Sequence, residues 1–304
     1  MMTLRASSSP SQTVTLLVLG AGWTWQFLQP LLHDEDITYA ATTSTGHDGT
    51  ITFRFDSDSD SDDLEQFKKL PTAQYVLVTF PLKGRGPSSK LLKLYAETHP
   101  QTGDKPVTTK WIQLGSTGIY TNPDWNSSSS PIDKSNERGI AEEELLSLGG
   151  CVLNLAGLYG GSREPKNWLS RVAKTKEQLG AKGALHLIHG RDVARAVVSV
   201  MNVDMDGAGS KKEKLFGRRW IVADCVSYDW WSLVWEWTGK SHEGAEEDKQ
   251  STDEKLQYRR WVVELMDENN VRGLPRSVEA LGRKLDARDF WKAIGTLPER
   301  TLAR

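Results

Sequence analysis

Val14-Thr15-Leu16-Leu17-Val18-Leu19-Gly20-Ala21-Gly22-Trp23-Thr24-Trp25-Gln26-Phe27-Leu28 is the stretch that decides the fold. An apolar, mostly branched run stops at Gly-x-Gly and passes into an apolar helix ending near Leu32, as the first strand of a dinucleotide-binding sheet does. There the backbone turns tightly and lets a pyrophosphate approach the amides at the N-terminus of the next helix. Gly20 makes the turn, Gly22 leaves room for phosphates, and Trp23 and Thr24 carry the first amides of the helix. The full fingerprint has a third glycine that lets helix and strand pack closely, and Trp25 stands in its place. Nucleotide binding therefore requires that neither Trp25 nor Trp23 plug the crevice at the carboxyl edge of the sheet. If one of them does, the fold serves a purely structural purpose.

Outward from this turn, residues 37–41 are β-type and end about 20 residues past it, where such folds meet the adenosine ribose. Thr42, Thr43 and Ser44 stand there. An acidic residue would bond the ribose hydroxyls of NAD and repel the extra phosphate of NADP. Three hydroxyls instead lean towards NADP over NAD, although no arginine stands beside them and a polar turn gives the same pattern. Residues 56–63 alternate Asp and Ser but lack the glycine and terminal glutamate of a calcium loop, so no metal is expected. Residues 75–80 form the next strand. Phe80 and Pro81 at its end face the cofactor, and Lys83 and Arg85 beyond them read as a solvated turn or, alternatively, as contacts to phosphate or substrate.

Further strands are expected at 111–115, 151–156, 185–189 and 220–224, with helices at 88–98, 138–148, 167–179 and 191–201. Val193, Ala194, Val197, Val198 and Met201 line one helical face. The alternation demands an α/β fold, a doubly wound, mostly parallel sheet with helices on both faces. A tryptophan-rich helix, 228–237, would cover a smaller, mainly helical C-terminal lobe with Trp230, Trp231, Val234 and Trp237. Residues 241–254 read as a charged insertion. The expected organisation is a flexible leader at 1–13, a nucleotide-binding domain at 14–160, and a lobe at 161–304 interleaved with late sheet strands at 185–189 and 220–224.

The chain has 304 residues and a net charge of −2, which gives no electrostatic reason to expect nucleic acid or an anionic membrane as partner. Cys151 and Cys225 lie far apart without a Cys-x-x-Cys or His/Cys cluster, against both a zinc site and a disulfide framework. A reducing, cytoplasmic setting fits. The Ser-rich N-terminus lacks an apolar signal core, and no stretch approaches a membrane span. A small-molecule substrate is the expected partner, with a homodimer left open.

Four separated stretches combine into something more specific: GAGW at 20–23, LGSTGIY at 114–120, LNLAGLYGGSR at 153–163 and HLIHGRDVARAV at 186–197. In this order they resemble the NAD(P)-dependent epimerase/dehydratase-like, extended or atypical short-chain dehydrogenase/reductase family, over roughly residues 14–240. The resemblance implies a Rossmann domain. It also implies that Ser116, with Thr117 as a close alternate, polarises a substrate carbonyl or hydroxyl, and that Leu158 and Tyr159 pass beside the nicotinamide. Arg163 would stand at the mouth of the substrate cleft, where it can pair with a carboxylate or phosphate, and His189 with Asp192 would join the lobe to the sheet. Tyr120 matches the second tyrosine of the serine loop.

The family's catalytic Tyr-x-x-x-Lys pair should follow on the next helix, and it is missing. Residues 121–158 contain no tyrosine, and Asn136 and Ile140, or residues nearby, stand where the pair belongs. The pair makes proton transfer concerted with hydride transfer near neutral pH. Tyr120, Tyr159, His189 and Glu137 remain as alternative proton donors, each with a structural role as the competing reading. Two functions follow: an oxidoreductase or epimerase acting on a small carbonyl or hydroxyl compound, or a non-catalytic nucleotide-binding sensor or scaffold.

Overall fold

The opening stretch forms strand β1 (Val14–Leu19) and turns at Gly20 into helix α1 (Trp25–Asp34). In the computed structural model, residues 13–57, 59, 63–100, 108–206, 214–239 and 249–302 are described. Strands β2 (Tyr39–Thr43), β3 (Ile51–Thr52), β4 (Ala73–Val78), β5 (Lys110–Ser116), β6 (Cys151–Leu155) and β7 (Arg218–Val222) complete a seven-stranded sheet. Its order is β7-β6-β5-β4-β1-β2-β3, and every neighbouring pair is parallel. Leu17 of β1 lies opposite Ala40 on one side and Val76 on the other. The order reverses between β1 and β4, so a crevice opens beyond their carboxyl ends, where sheets of this kind take their ligands.

Helices α2 (Pro87–Thr98), α3 (Glu137–Ser147), α4 (Gly190–Met205), α5 (Trp230–Trp237), α6 (Lys249–Glu268) and α7 (Arg288–Ile294) follow in the chain. Side chains alternate across a strand, so Leu16 and Val18 face one layer and Leu17 and Leu19 the other. The first layer joins Leu28 and Leu32 of α1, Val193 and Val197 of α4, and Phe290 and Trp291 of α7. The second joins Leu91 and Tyr95 of α2 and Ala141 and Leu145 of α3. This is the doubly wound α/β architecture expected from the sequence, and the predicted face of α4 is buried throughout.

Helices α5 and α6 pack Trp230, Trp231, Val262 and Leu265 into a separate cluster with Leu169 and Leu179. The Trp231 indole donates to the Leu179 carbonyl at 3.0 Å. Trp237 packs half-buried against this cluster as well.

Two elements differ from their sequence expectation. The helix expected at 167–179 is broken into Pro165–Trp168, Leu169–Val172 and Lys176–Gly180. The break falls before Thr175, whose hydroxyl accepts the Gln178 amide at 3.2 Å and so starts a new helix rather than continuing the old one. The segment 185–189 does not enter the main sheet. Ala184–Leu185 pairs antiparallel with Tyr228–Asp229, and Leu187–His189 pairs in parallel with Gly157–Tyr159, each as a two-stranded sheet. The 220–224 strand does join the main sheet, as β7. Of the expected insertion 241–254, residues from Lys249 onward are helical, and 241–248 lie outside the described residues, as does the leader 1–12.

Helix α4 is brought against α1 by Gly190. A Cβ there would lie 2.1 Å from Phe27 Cε2, so no other residue fits without moving the ring. Gly190→Ala is expected to cost about 1–3 kcal/mol in urea unfolding, as overpacking does. Adding Phe27→Leu should return part of that loss, and a strictly additive double variant would show that the contact is not the cause.

Candidate nucleotide and substrate site

The glycine turn is held by its neighbours on both sides. The Gly20 amide donates to Thr42 Oγ1 at 3.0 Å and the Ala21 amide to the Thr42 carbonyl at 2.7 Å. Thr79 Oγ1 donates to the Gly20 carbonyl at 2.5 Å. Gly20 has φ 95°, and a Cβ on it would lie 2.7 Å from Thr79 Oγ1 and 3.2 Å from Phe80, so both conformation and space require glycine. At Gly22 a Cβ would meet nothing within 4 Å, and the residue is exposed.

Beyond Gly22 the amides of Trp23 and Thr24 donate to no acceptor among the described residues. Thr24 is the N-cap of α1, and no side chain caps that end of the helix. Two amides without an acceptor therefore stand at the positive end of a ten-residue helix, next to an exposed glycine. The Trp25 ring does not lie there. It packs edge-on against Tyr39 at the start of β2, with centroids 5.4 Å apart, at the end of the strand remote from the crevice. The Trp23 ring is held by its own partners, donating from Nε1 to the Gly160 carbonyl at 3.2 Å and packing edge-on against Phe27 with centroids 5.0 Å apart.

The hydroxyls after β2 require a correction. Thr42 Oγ1 is occupied by the Gly20 amide, and Thr43 Oγ1 bonds Thr50 Oγ1 at 2.8 Å and the Gly46 amide at 2.8 Å. Both threonines are buried and brace the turn rather than face a ribose, which leaves Ser44 as the exposed hydroxyl of the three. Across the crevice Phe80 is half-buried and stacks on Phe55, and Pro81 is exposed.

Ser116 ends β5 half-buried, its Oγ accepting the Gly118 amide at 3.2 Å. Thr117 is buried and donates to the Leu155 carbonyl at 3.2 Å, so its hydroxyl is committed to the sheet. Tyr120 is buried too. Its hydroxyl donates to Asn154 Oδ1 at 3.3 Å, and burial pushes the phenol well above its ordinary range. A phenol so placed is a core anchor, which corrects its assignment as a catalytic group.

Beneath Ser116 lies a buried polar network from α3, β6 and β7. Glu142 is 0% exposed. It accepts Asn154 Nδ2 at 2.7 Å, Arg219 Nη1 at 3.3 Å and the Ser116 amide at 3.3 Å. Burial raises the Glu142 carboxyl, opposed by the Asn154 hydrogen bond and the Arg219 charge. This is the helix on which the missing tyrosine and lysine were sought. Asn136 is its N-cap, accepting the Arg138 and Gly139 amides, while Glu137 is exposed in its first turn and Ile140 half-buried. Sequence reasoning missed Glu142 and Arg219, because a carboxylate within a charged helical run gives no sign of which way it points.

From the C-terminal segment, Arg283 reaches the carbonyls of Thr117 and Tyr120 and so caps the short turn Thr117–Ile119 after Ser116. His186 Nε2 accepts the Leu285 amide at 3.1 Å, and burial lowers its pKa to about 4, so the ring stays neutral and holds that segment. His189 has a framework role as well. Its Nδ1 accepts the Arg191 amide at 3.1 Å and its ring lies between Phe27 and Tyr159. Tyr159 is buried with its hydroxyl unpartnered among the described residues, and Leu158 beside it is half-buried. Arg163 lies over the Trp23 ring, 4.5 Å from its centre.

Asp224, 2% exposed, follows β7 and accepts the Tyr228 hydroxyl at 2.6 Å and the Val226 amide at 3.1 Å. Burial pushes its pKa from 3.8 up to about 7. Between those values the folded chain holds a proton that the unfolded chain has released, so this group's contribution to stability falls as pH rises and is lowest above pH 7. Asp224→Asn should therefore gain in melting temperature over the parent at pH 8 relative to pH 5. A difference that does not change across that interval would refute the assignment.

Two grooves, of about 950 and 990 Å³, contain none of the glycine-turn residues and not Ser116. One lies along the outer side of α3 and the other between α5 and α6. Among the described residues no group of acidic, histidine or cysteine side chains could hold a metal, and no helix is long and apolar enough to cross a membrane.

A doubly wound parallel sheet with a Gly-x-Gly turn at its switch point is the fold of short-chain dehydrogenases and NAD-dependent epimerases. Solved structures bear this out over nearly the whole length. The chain is similar to a short-chain dehydrogenase/reductase superfamily protein from Agrobacterium tumefaciens with bound NAD, at 10% identity and TM-score 0.56, covering 95% of this chain and 93% of that one. It is similar to UDP-N-acetylglucosamine 4-epimerase from Bacillus cereus at 10% identity and TM-score 0.54, covering 94% of each. It is also similar to yeast methylglyoxal/isovaleraldehyde reductase complexed with NADPH, at 14% identity and TM-score 0.52, covering 95% and 94%. In sequence, no family model and no curated protein matches.

Proposed function

We propose that the chain binds a nicotinamide dinucleotide, NADP or NAD, in the crevice at the ends of β1 and β4 and acts as an oxidoreductase or epimerase on a small carbonyl or hydroxyl compound. The observation that carries this reading is the pair of amides without an acceptor, Trp23 and Thr24, at the start of α1 beside the exposed Gly22. These amides would hold the diphosphate, with Gly22 keeping the approach clear. When bound, the nicotinamide supplies or accepts the hydride. The neighbours with bound NAD and NADPH support the class, and the bracing role of Thr42 and Thr43 removes much of the sequence argument for NADP over NAD.

On the protein side, Ser116 Oγ is the half-buried hydroxyl that would donate to a substrate oxygen, oriented by the Gly118 amide and by a loop that Arg283 caps. Glu142 and Tyr120 are tied into the network below, so the accompanying proton would enter from solvent on the exposed side of Gly118. Titration calorimetry with NAD⁺, NADH, NADP⁺ and NADPH tests the reading. Binding of at least one form is expected, followed by turnover across a panel of carbonyl compounds that is lost in Ser116→Ala. No binding of any of the four would end the nucleotide assignment, and binding without turnover would leave a sensor.

A further inference from the structure

We propose that Arg163 is a cationic clamp for the diphosphate of the nucleotide, held beside the free amides of α1 by the Trp23 indole; this rests on the nucleotide reading above. Gly160 and Arg163 close a tight turn through reciprocal backbone hydrogen bonds of 2.9 and 3.1 Å. One hydrogen bond fixes the turn to the start of α1, and a second braces the residue that makes it. Trp23 Nε1 donates to the Gly160 carbonyl at 3.2 Å, and Gln26 Nε2 donates to the Trp23 carbonyl at 2.9 Å. Gly160 and Gly161, both at positive φ, approach His189 and Gln26 so closely that a Cβ would lie 2.3 Å from His189 Nε2 or 2.5 Å from Gln26 Oε1.

On this platform the Arg163 guanidinium lies 4.5 Å from the centre of the indole. It bonds no carboxylate among the described residues, and the neighbouring Glu164 pairs instead with Lys166 at 2.8 Å. The ring beneath it belongs to the residue whose own amide is free. A cation set at the positive end of a helix is electrostatically unfavourable by itself. The arrangement is complementary to an anion of more than one charge that is shared between the amides and the guanidinium, and a diphosphate is such an anion. Stacking on the indole pre-orders the planar fork, so little side-chain freedom is lost when it bonds phosphate oxygens.

The test titrates ADP-ribose, which carries the diphosphate without nicotinamide, and AMP, which lacks it, into the parent and Arg163→Gln. Glutamine keeps a flat polar group over the ring and removes the charge, and the residue is exposed, so the variant should melt with the parent. ADP-ribose affinity is expected to fall about ten- to hundredfold, the range for a lost charge-assisted hydrogen bond, with AMP little changed. The parent should also show a steeper loss of ADP-ribose affinity with salt and a change in tryptophan emission on binding. Equal ADP-ribose affinities in parent and variant would overturn the clamp while leaving the nucleotide site standing, as would an equal loss for AMP. No ADP-ribose binding by the parent would remove both.

Discussion

Gly22→Asp is expected to lose at least a hundredfold in affinity for nicotinamide nucleotides while unfolding within about two degrees of the parent. The fold should tolerate the change because a Cβ at Gly22 meets nothing within 4 Å and the residue is exposed. The carboxylate would stand where the phosphates approach the Trp23 and Thr24 amides. Two like charges about 4 Å apart near a protein surface repel by about 4 kcal/mol, enough for the expected loss. Calorimetry reads the affinity and thermal unfolding the fold. Retained nucleotide affinity in a folded Gly22→Asp protein would place any nucleotide elsewhere.

Arg219→Ala should destabilise the chain by about 3–5 kcal/mol in denaturant unfolding, more than Gly190→Ala does. It would leave Glu142, fully buried, without its cationic partner while the Asn154 and Ser116 bonds remain. Breaking a buried pair costs far more than the pair itself contributes, because the surviving charge keeps its desolvation penalty. Removing both charges with Glu142→Gln and Arg219→Met should be milder than Arg219→Ala alone. Additive losses in the double variant would show that the two side chains do not act as a pair.

The frame of the molecule was legible in the sequence because its signals are periodic. The apolar run before Gly20 and the face of Val193, Ala194, Val197, Val198 and Met201 need only strand and helix repeats to be read. The resemblance of four ordered motifs located Ser116 and the turn at Gly160. What escaped was direction. Thr42 and Thr43 look like ribose donors in the linear chain, yet they are consumed by the amides and hydroxyls of their own turn. Tyr120 looks like an acid and is a core anchor, and the indole under Arg163 comes from a residue 140 positions away in sequence. Such outcomes depend on pairings between distant segments, which no local pattern encodes. The break before Thr175 is different, since a hydroxyl ahead of a helical run is a start signal that the longer apolar pattern concealed.

Helix α3 carries a consequence for anyone wishing to equip this scaffold with a phenol and an amine. Its inward positions Ala141 and Leu145 are 0% and 1% exposed and belong to the apolar layer, while Glu142 is bound to three partners. A Tyr-x-x-x-Lys graft at those two positions would have to force a phenol and an amine into packed hydrocarbon on either side of a bound carboxylate. The helix is a supporting post, and giving it a catalytic pair would take concerted rebuilding of its packing rather than two point changes.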